Sequence, residues 1–321
     1  MKKGFVQMLN IMLLELFGGC ALLSLAWRHQ QLYGTTLKAA WYWSVMAILS
    51  IMIVETLVNL RVDWLSPSRI GPLRYLAAIV TACPIVALLG AKRPQHRAWQ
   101  WIVLSLWVVL AMPAATALFF SQPTFDPGIL WSWFLLILVV MTATNYLPTC
   151  YWPAGLLVGT SQIFLLSKQL PGGRHLVRWL DPHSSHWIAT AALAVLLLAV
   201  ILVQWISRAR RTWNPNLVTP HDRIWRDFRD SYGALWGLRI VDRLNATSKS
   251  HRWNIYLRWN GFRHSEDRST DTAGNPPGIP LEITTPLEQI FVSLLRRFVS
   301  IEWIDQRRAV PLEKPLKRPQ K

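Results

Sequence analysis

Two acids interrupt sequence that otherwise suits lipid. In "IMLLELFGGC" Glu15 follows Ile11, Met12, Leu13 and Leu14, and in "IMIVETLVNL" Glu55 follows Ile51, Met52, Ile53 and Val54. A charged carboxylate at the middle of a membrane span costs on the order of 3 kcal/mol to insert, so each acid is expected to be neutral or partnered. Two chemistries fit such groups. One is a proton or cation path, in which the acids bind and release the ion inside the bilayer. The other is interhelical hydrogen bonding at about 1 kcal/mol per bond, and this is the reading adopted. Under it Gln at either position is nearly silent, and Leu costs about 1 kcal/mol. A contact with another subunit is a third use of the same groups.

Depth relates the two acids to other polar residues. Glu15 is at the midpoint of its apolar run, whereas Glu55 lies about 5 residues past the centre of its own, roughly 8 Å at the helical rise. Adjacent spans run antiparallel, so that displacement points to the side where the first run begins, and Asn10 is displaced the same way. Glu55 is therefore expected to meet Asn10, with Arg61 or Arg74 above it. The intramembrane polar set is Glu15, Glu55, Asn10 and Arg74.

Histidine offers a second chemistry. His183 and His186 in "DPHSSHW" are three apart, with His175 nearby, and an i,i+3 pair on a helix face holds a metal or haem. No ligand-rich motif accompanies them, and no histidine falls at mid-membrane depth. No cofactor is expected, although a haem or metal at the membrane edge, on His29, His96 or the His183 group, stays open. Cys20, Cys83 and Cys150 share no C-x-x-C spacing and read as small packing residues rather than disulfides or metal ligands. The G-x-x-x-x-G-K-[ST] phosphate loop and the G-x-S-x-G elbow do not occur, so the chemistry of those motifs has no signal here.

These residues must be positioned by a membrane architecture. The chain is 52% apolar and 16% charged, well below the roughly 25% charge of soluble domains. Its 19 Trp suit the membrane boundary, where an apolar ring with one polar N–H is at home. Runs able to cross a roughly 30 Å core occur at Phe5 to Ala26, Ala39 to Leu60, Leu73 to Ala91, Ala98 to Phe120 and Trp187 to Ile206. Ile129 to Thr144 and Trp152 to Leu166 are shorter and are expected to be two spans joined by a tight turn, the alternative being a re-entrant hairpin sheltered by protein. Pro84 and Pro113 predict kinks or local unwinding whose freed carbonyls neighbouring helices satisfy. The first run is expected to remain as a helix, because it is long and lacks a small-x-small cleavage pattern.

The net charge is +17, divided as +8 over residues 1–206 and +9 over 207–321. Much of the excess flanks apolar runs, where it orients spans and draws anionic lipid, and no nucleic-acid partner is expected. With seven crossings the Lys/Arg of the two sides tie at eight against eight. The C-terminal side is expected to be cytoplasmic because Arg208, Arg210 and Arg211 abut the last run. These three are the expected anionic-lipid contacts.

After Arg211 the pattern changes. Thr219, Pro220 and Asp222 form a helix start signal, and Ile224, Phe228, Tyr232 and Leu235 recur at helical spacing, with Asp222, Arg226 and Asp230 as i,i+4 pairs on the opposite face. Trp253, Ile255, Leu257 and Trp259 alternate with polar residues and predict a strand turning at Asn260-Gly261. "LEIT" predicts a short strand, followed by a helix capped by Thr285 and Pro286.

The expected fold is an α-helical polytopic membrane protein of about seven transmembrane helices with a small C-terminal α+β soluble domain. Its parts are a bundle over 1–206, a basic extramembrane domain over 207–304 and a disordered basic tail over 305–321. The expected function is a non-enzymatic anchor or assembly factor of a bacterial-type inner membrane, whose cytoplasmic domain binds a protein partner. The alternative is a proton- or cation-coupled transporter using Glu15 and Glu55. A membrane enzyme acting on lipid or quinone comes third.

Overall fold

The computed structural model describes residues 2–60, 62, 65–93, 95–120, 125–173, 187–212, 219–264 and 281–308. Contacts divide the chain into two units, Met1–Arg208 and Ala209–Lys321.

The first unit is helical. Its elements are α1 (Lys2–Arg28), α2 (Lys38–Asn59), α3 (Pro67–Val80), α4 (Cys83–Leu89), α5 (His96–Phe119), α6 (Ile129–Tyr146) and α7 (Trp152–Leu166), with α8 (Ile188–Thr212) running out of it. Six stretches among the described residues are long and apolar enough to cross a membrane: Phe5–Leu32, Lys38–Asn59, Pro67–Leu89, His96–Phe119, Ile129–Tyr146 and Ile188–Arg210. The 15-residue α7 is apolar but shorter, roughly 22 Å at 1.5 Å per residue.

Hydrogen bonds between helix ends fix the directions. Arg28, at the end of α1, donates to Val203 O and Ser207 Oγ near the end of α8, while Asn10 meets Thr190 at the other end of both helices. α1 and α8 are therefore parallel. Tyr151, at the start of α7, lies 3.0 Å from Ser207 Oγ, and Ser161, ten residues on, donates to Ala192 O. α7 and α8 are therefore antiparallel. Leu14, Ala21, Ile48, Ile51, Ala77, Ala189 and Leu193 form a buried core shared by α1, α2, α3 and α8.

Pro84 unwinds the chain between α3 and α4. Thr81 and Ala82 form a turn closed by i→i+3 bonds to Ala78 O and Ile79 O, and Gln162 of α7 donates to Thr81 O at 2.8 Å. The neighbouring helix thus satisfies a carbonyl left open by the break. Pro113 leaves α5 continuous. α6 and α7 form a tight antiparallel hairpin. A Cβ on Gly155 would stand 3.0 Å from Tyr146 Cβ, and one on Gly159 would stand 3.2 Å from Ala143 Cβ. Two glycines four apart thus let the helices approach closely.

The second unit holds α9 (Pro220–His251), β1 (Ile255–Arg258), β2 (Gly261–His264), α10 (Leu281–Leu295) and α11 (Ile301–Arg308). The Thr219 side chain caps α9 by accepting from Asp222 N at 3.1 Å, as its sequence predicts. α9 is broken at Gly233, whose φ of 74° and ψ of −168° are not helical, a conformation open to a residue without Cβ. Phe228, Tyr232 and Phe298 form the centre of the core, with Phe228 and Tyr232 stacked at 4.6 Å and Tyr232 OH donating to Phe298 O at 2.9 Å.

Three expectations for this unit change. "LEIT" is helical, since α10 begins at Leu281 with Pro286 inside it. The described residues contain one two-stranded sheet, and a strand without a neighbour has no ladder to join. The hairpin turns at Trp259-Asn260, because Gly261 already pairs with Arg258 as the first residue of β2. Asp222 and Asp230 do not form surface pairs with Arg226. Both are buried: Asp222 accepts from Phe262 N at 2.8 Å, Asp230 takes Arg229 and Arg210, and Arg226 donates to Asn260 O.

Candidate functional site

The two intramembrane acids and their side-chain partners lie on α1, α2 and α3, while α6 and α7 carry the buried Ser132, Thr142, Asn145, Ser161 and Gln162. Glu55 occupies the last full turn of α2 and is buried at 5% exposure. A bidentate guanidinium from α3 grips its carboxylate: Arg74 Nε donates to Oε1 and Nη2 to Oε2, each at 2.7 Å. This fork matches the two oxygens and is the strong form of such a pair. Pro67 starts α3, so two turns of helix precede Arg74 and carry it to the depth of Glu55. Lys168, beyond the end of α7, interacts electrostatically with both partners.

Asn59, one turn beyond Glu55, donates from Nδ2 to Glu55 O at 2.9 Å, and Gln7 of α1 donates to Asn59 O. The side-chain partner of Glu55 is thus Arg74 rather than Asn10. Asn10 turns to α8, where Thr190 Oγ1 donates to its Oδ1 at 2.5 Å.

Glu15 differs from Glu55 in surroundings. It is exposed on the surface of the unit, and it accepts a 2.6 Å hydrogen bond from Thr56 Oγ1. Glu55 and Thr56 are neighbours in sequence and lie about 100° apart around α2. One therefore faces Arg74 in the interior while the other reaches Glu15 at the surface.

Further interhelical bonds do the same work. Tyr75 OH donates to Leu110 O at 2.9 Å, tying α3 to α5. Trp99 Nε1 donates to Val86 O at 2.8 Å, tying α5 to α4, and Trp43 Nε1 donates to Gln100 Oε1 at 2.9 Å, tying α2 to α5.

The remaining sequence candidates separate. His183 and His186, with His175, fall outside the described residues. His29 packs on the Trp41 ring at 4.7 Å. Among the described residues no three His, Cys, Asp or Glu side chains come together as a metal-binding group. Arg208 is exposed, and the Arg211 side chain lies outside the described set. Arg210 is engaged within the second unit: its Nη1 lies 2.5 Å from Asp230 Oδ2. Asp230 Oδ1 accepts from Arg229 Nε and Nη2 at 3.0 and 2.8 Å. A carboxylate 1% exposed is thus held by two arginines.

A further polar cluster joins α9, α10 and α11. Glu288 pairs with Arg308 and stands 3.8 Å from His221 Nε2. Burial holds the His221 imidazole below the ordinary histidine value; the Glu288 carboxylate opposes that shift and the Arg308 charge adds to it. Next to this cluster is a groove of about 330 Å³ lined by Glu288, Gln289, Val292, Ile301, Ile304, Asp305 and Arg308.

Nothing in the sequence singles out Thr56, Thr190 or Gln162, since Ser, Thr and Gln are unremarkable in apolar helices. Gly155 and Gly159 do carry a signal, the small-x-x-x-small spacing of close helix pairs. Compared with protein families, curated proteins and solved structures, the chain matches none.

Proposed function

We propose that this protein is a multi-pass membrane anchor whose second unit holds a protein partner at the membrane surface, with no catalytic step of its own. The observation that carries this reading is the closed Glu55–Arg74 fork. An acid that shuttles ions alternates between bound and released states, whereas a carboxylate with both oxygens taken by one guanidinium on the next helix acts as a clamp. Asn10–Thr190, Gln162–Thr81 and Tyr75–Leu110 spend polar groups in the same way. The groove on α10 and α11, lined by both apolar and charged side chains, suits a protein surface.

In this reading the chain crosses a bacterial-type inner membrane seven times, α7 included, and the second unit is cytoplasmic. The antiparallel course of α7 against α8 supports the seventh crossing. The basic residues Arg208, Arg210 and Arg211 support the side.

Transport of a proton or cation is the rival reading, and one observation favours it. Glu15 is exposed at mid-helix and, among the described residues, has one hydroxyl partner, Thr56, the kind of acid an ion could reach. Two measurements separate the readings. The anchor reading expects full-length protein from mild detergent to retain co-purifying protein that is lost when α10 and α11 are deleted, and expects reconstituted vesicles to show no uptake. Proton-coupled uptake that disappears in an intact Glu15→Gln protein would overturn it.

A further inference from the structure

We infer that the outward face of the β1–β2 hairpin is a docking face for anionic lipid headgroups. β1 alternates strictly: Ile255 and Leu257 are buried, Tyr256 and Arg258 exposed. Arg263 of β2 is exposed and pairs directly with Tyr256 in the antiparallel register. A tyrosine flanked by two arginines therefore stands on one side of a two-stranded platform.

The two guanidinium groups are unspent. Four arginines near this hairpin are engaged: Arg210 and Arg229 hold Asp230, Arg226 donates to Asn260 O, and Arg307 pairs with Asp227. Arg258 and Arg263 have neither an ion pair nor a side-chain hydrogen bond among the described residues. The nearby acids do not neutralise them. Asp222 accepts from Phe262 N, and Asp227 and Asp230 are engaged by arginines. Over residues 219–264 there are nine Lys/Arg and four Asp/Glu, a net charge of +5.

The platform is held against α9 by hydrogen bonds. Asn245 donates to Leu257 O at 3.0 Å and accepts from Leu257 N at 2.8 Å, and Ser248 donates to Ile255 O. These bonds cover the free edge of β1. Trp225 Nε1 and Arg229 Nη1 donate to Trp259 O at the turn. The edge used by peptides that extend a sheet is therefore closed on β1, while its outward face stays open.

Lipid is the occupant that fits. Six residues, 213–218, join α8 to the Thr219 cap of α9, and six extended residues span about 20 Å at most. The hairpin is thus tethered to a helix long and apolar enough to enter a bilayer, which raises its effective concentration at the surface. Arginine suits phosphate, and tyrosine places an apolar ring and a polar tip at the headgroup boundary.

The test uses the full chain in nanodiscs, with an environment-sensitive fluorophore on Asn260→Cys in a background of Cys20→Ser, Cys83→Ala and Cys150→Ser. Discs of phosphatidylcholine are compared with discs that also contain phosphatidylglycerol. Phosphatidylglycerol is expected to shift emission to the blue and shield the probe from iodide. Arg258→Gln with Arg263→Gln is expected to lower the docking equilibrium constant by roughly 30-fold, as two surface cations imply, and high salt is expected to weaken docking as well. Arg296→Gln with Arg297→Gln removes the same charge elsewhere and leaves the signal unchanged. Equal signals in both lipids would overturn the inference. So would an equal loss in the charge-matched control, or crosslinking of the probe position in native membranes to an acidic protein in place of lipid.

Discussion

Arg74 meets Glu55 with two different nitrogens, one on each carboxylate oxygen, both at 2.7 Å. This geometry changes what substitution of Glu55 does. Without a cation beside it, Glu55→Gln would be nearly silent. With Arg74 beside it, the amide leaves a guanidinium short of its counter-charge in a site where Glu55 is almost fully enclosed. Glu55→Gln and Arg74→Gln are each expected to destabilise the bundle by on the order of 3 kcal/mol, while Glu55→Leu with Arg74→Leu recovers most of that loss. Unfolding in detergent measures all three, and a silent Glu55→Gln would remove the clamp.

Glu15 is expected to behave differently, because its described partner is one hydroxyl, Thr56 Oγ1 at 2.6 Å. Glu15→Gln keeps an acceptor for that hydroxyl and is expected to leave stability unchanged. Thr56→Val removes the donor and costs about 1 kcal/mol. Thermal unfolding of the two variants side by side checks this. A Glu15→Gln loss as large as that of Glu55→Gln would assign Glu15 a second structural partner.

What the sequence reveals here follows from the range of each interaction. Hydropathy is a local property of some twenty residues, so α1, α2 and α5 start and end within a few positions of the apolar runs that announce them. Depth narrows the choice, because rise per residue is constant: it sets Asn10 level with Glu55 and Arg74 above it, and of these Arg74 is the one that meets the carboxylate. Azimuth is not legible. Which neighbour a side chain meets depends on how each helix is rotated in the bundle, and no residue in α1 tells Asn10 to face Thr190 of α8 rather than Glu55 of α2. The second unit shows the same division. Thr219 and Pro220 mark the start of α9 locally, whereas the burial of Asp230 between Arg229 and Arg210 joins residues twenty apart.

Gly261 is where the hairpin depends most on the absence of a side chain. Its φ is 134°, and a Cβ there would overlap Asp222 Oδ1, the acceptor for Phe262 N. Gly261→Ala is therefore expected to cost about 2 kcal/mol through backbone strain and the displaced Asp222 bond. Hydrogen exchange at Phe262 reads the local effect. An alanine variant with unchanged protection there would show that the turn accommodates the methyl.

His221 gives the second unit an acid-sensitive step. Burial lowers its folded value below the ordinary 6.5, with Arg308 adding to the effect and Glu288 opposing it. As pH falls, the unfolded chain takes up this proton first, so the unfolded state binds more protons over the interval between the two values. The stability held by neutral His221 is complete above about pH 6.5 and is lost as pH falls through its lower folded value. His221→Gln is expected to flatten this part of the profile. Melting midpoints between about pH 7.5 and 5.5 test it, and identical slopes for wild type and variant would exclude His221 as the cause.

The proposed seven crossings would put the N-terminus and the second unit on opposite sides of the membrane, and α7 is the helix that separates seven crossings from six. Its start bonds toward the end of α8 and its last turns toward the beginning of α8, as expected of a helix that runs the full way back. Cysteines at Thr124 and Ala246, in a background lacking Cys20, Cys83 and Cys150, therefore report from opposite faces. A membrane-impermeant maleimide applied to intact cells is expected to label Thr124→Cys at once and Ala246→Cys only after permeabilisation. Labelling of both from outside would mean that α7 turns back within the bilayer. Labelling of Ala246→Cys alone would keep seven crossings and reverse the orientation, placing Arg208 and its basic neighbours on the outer face.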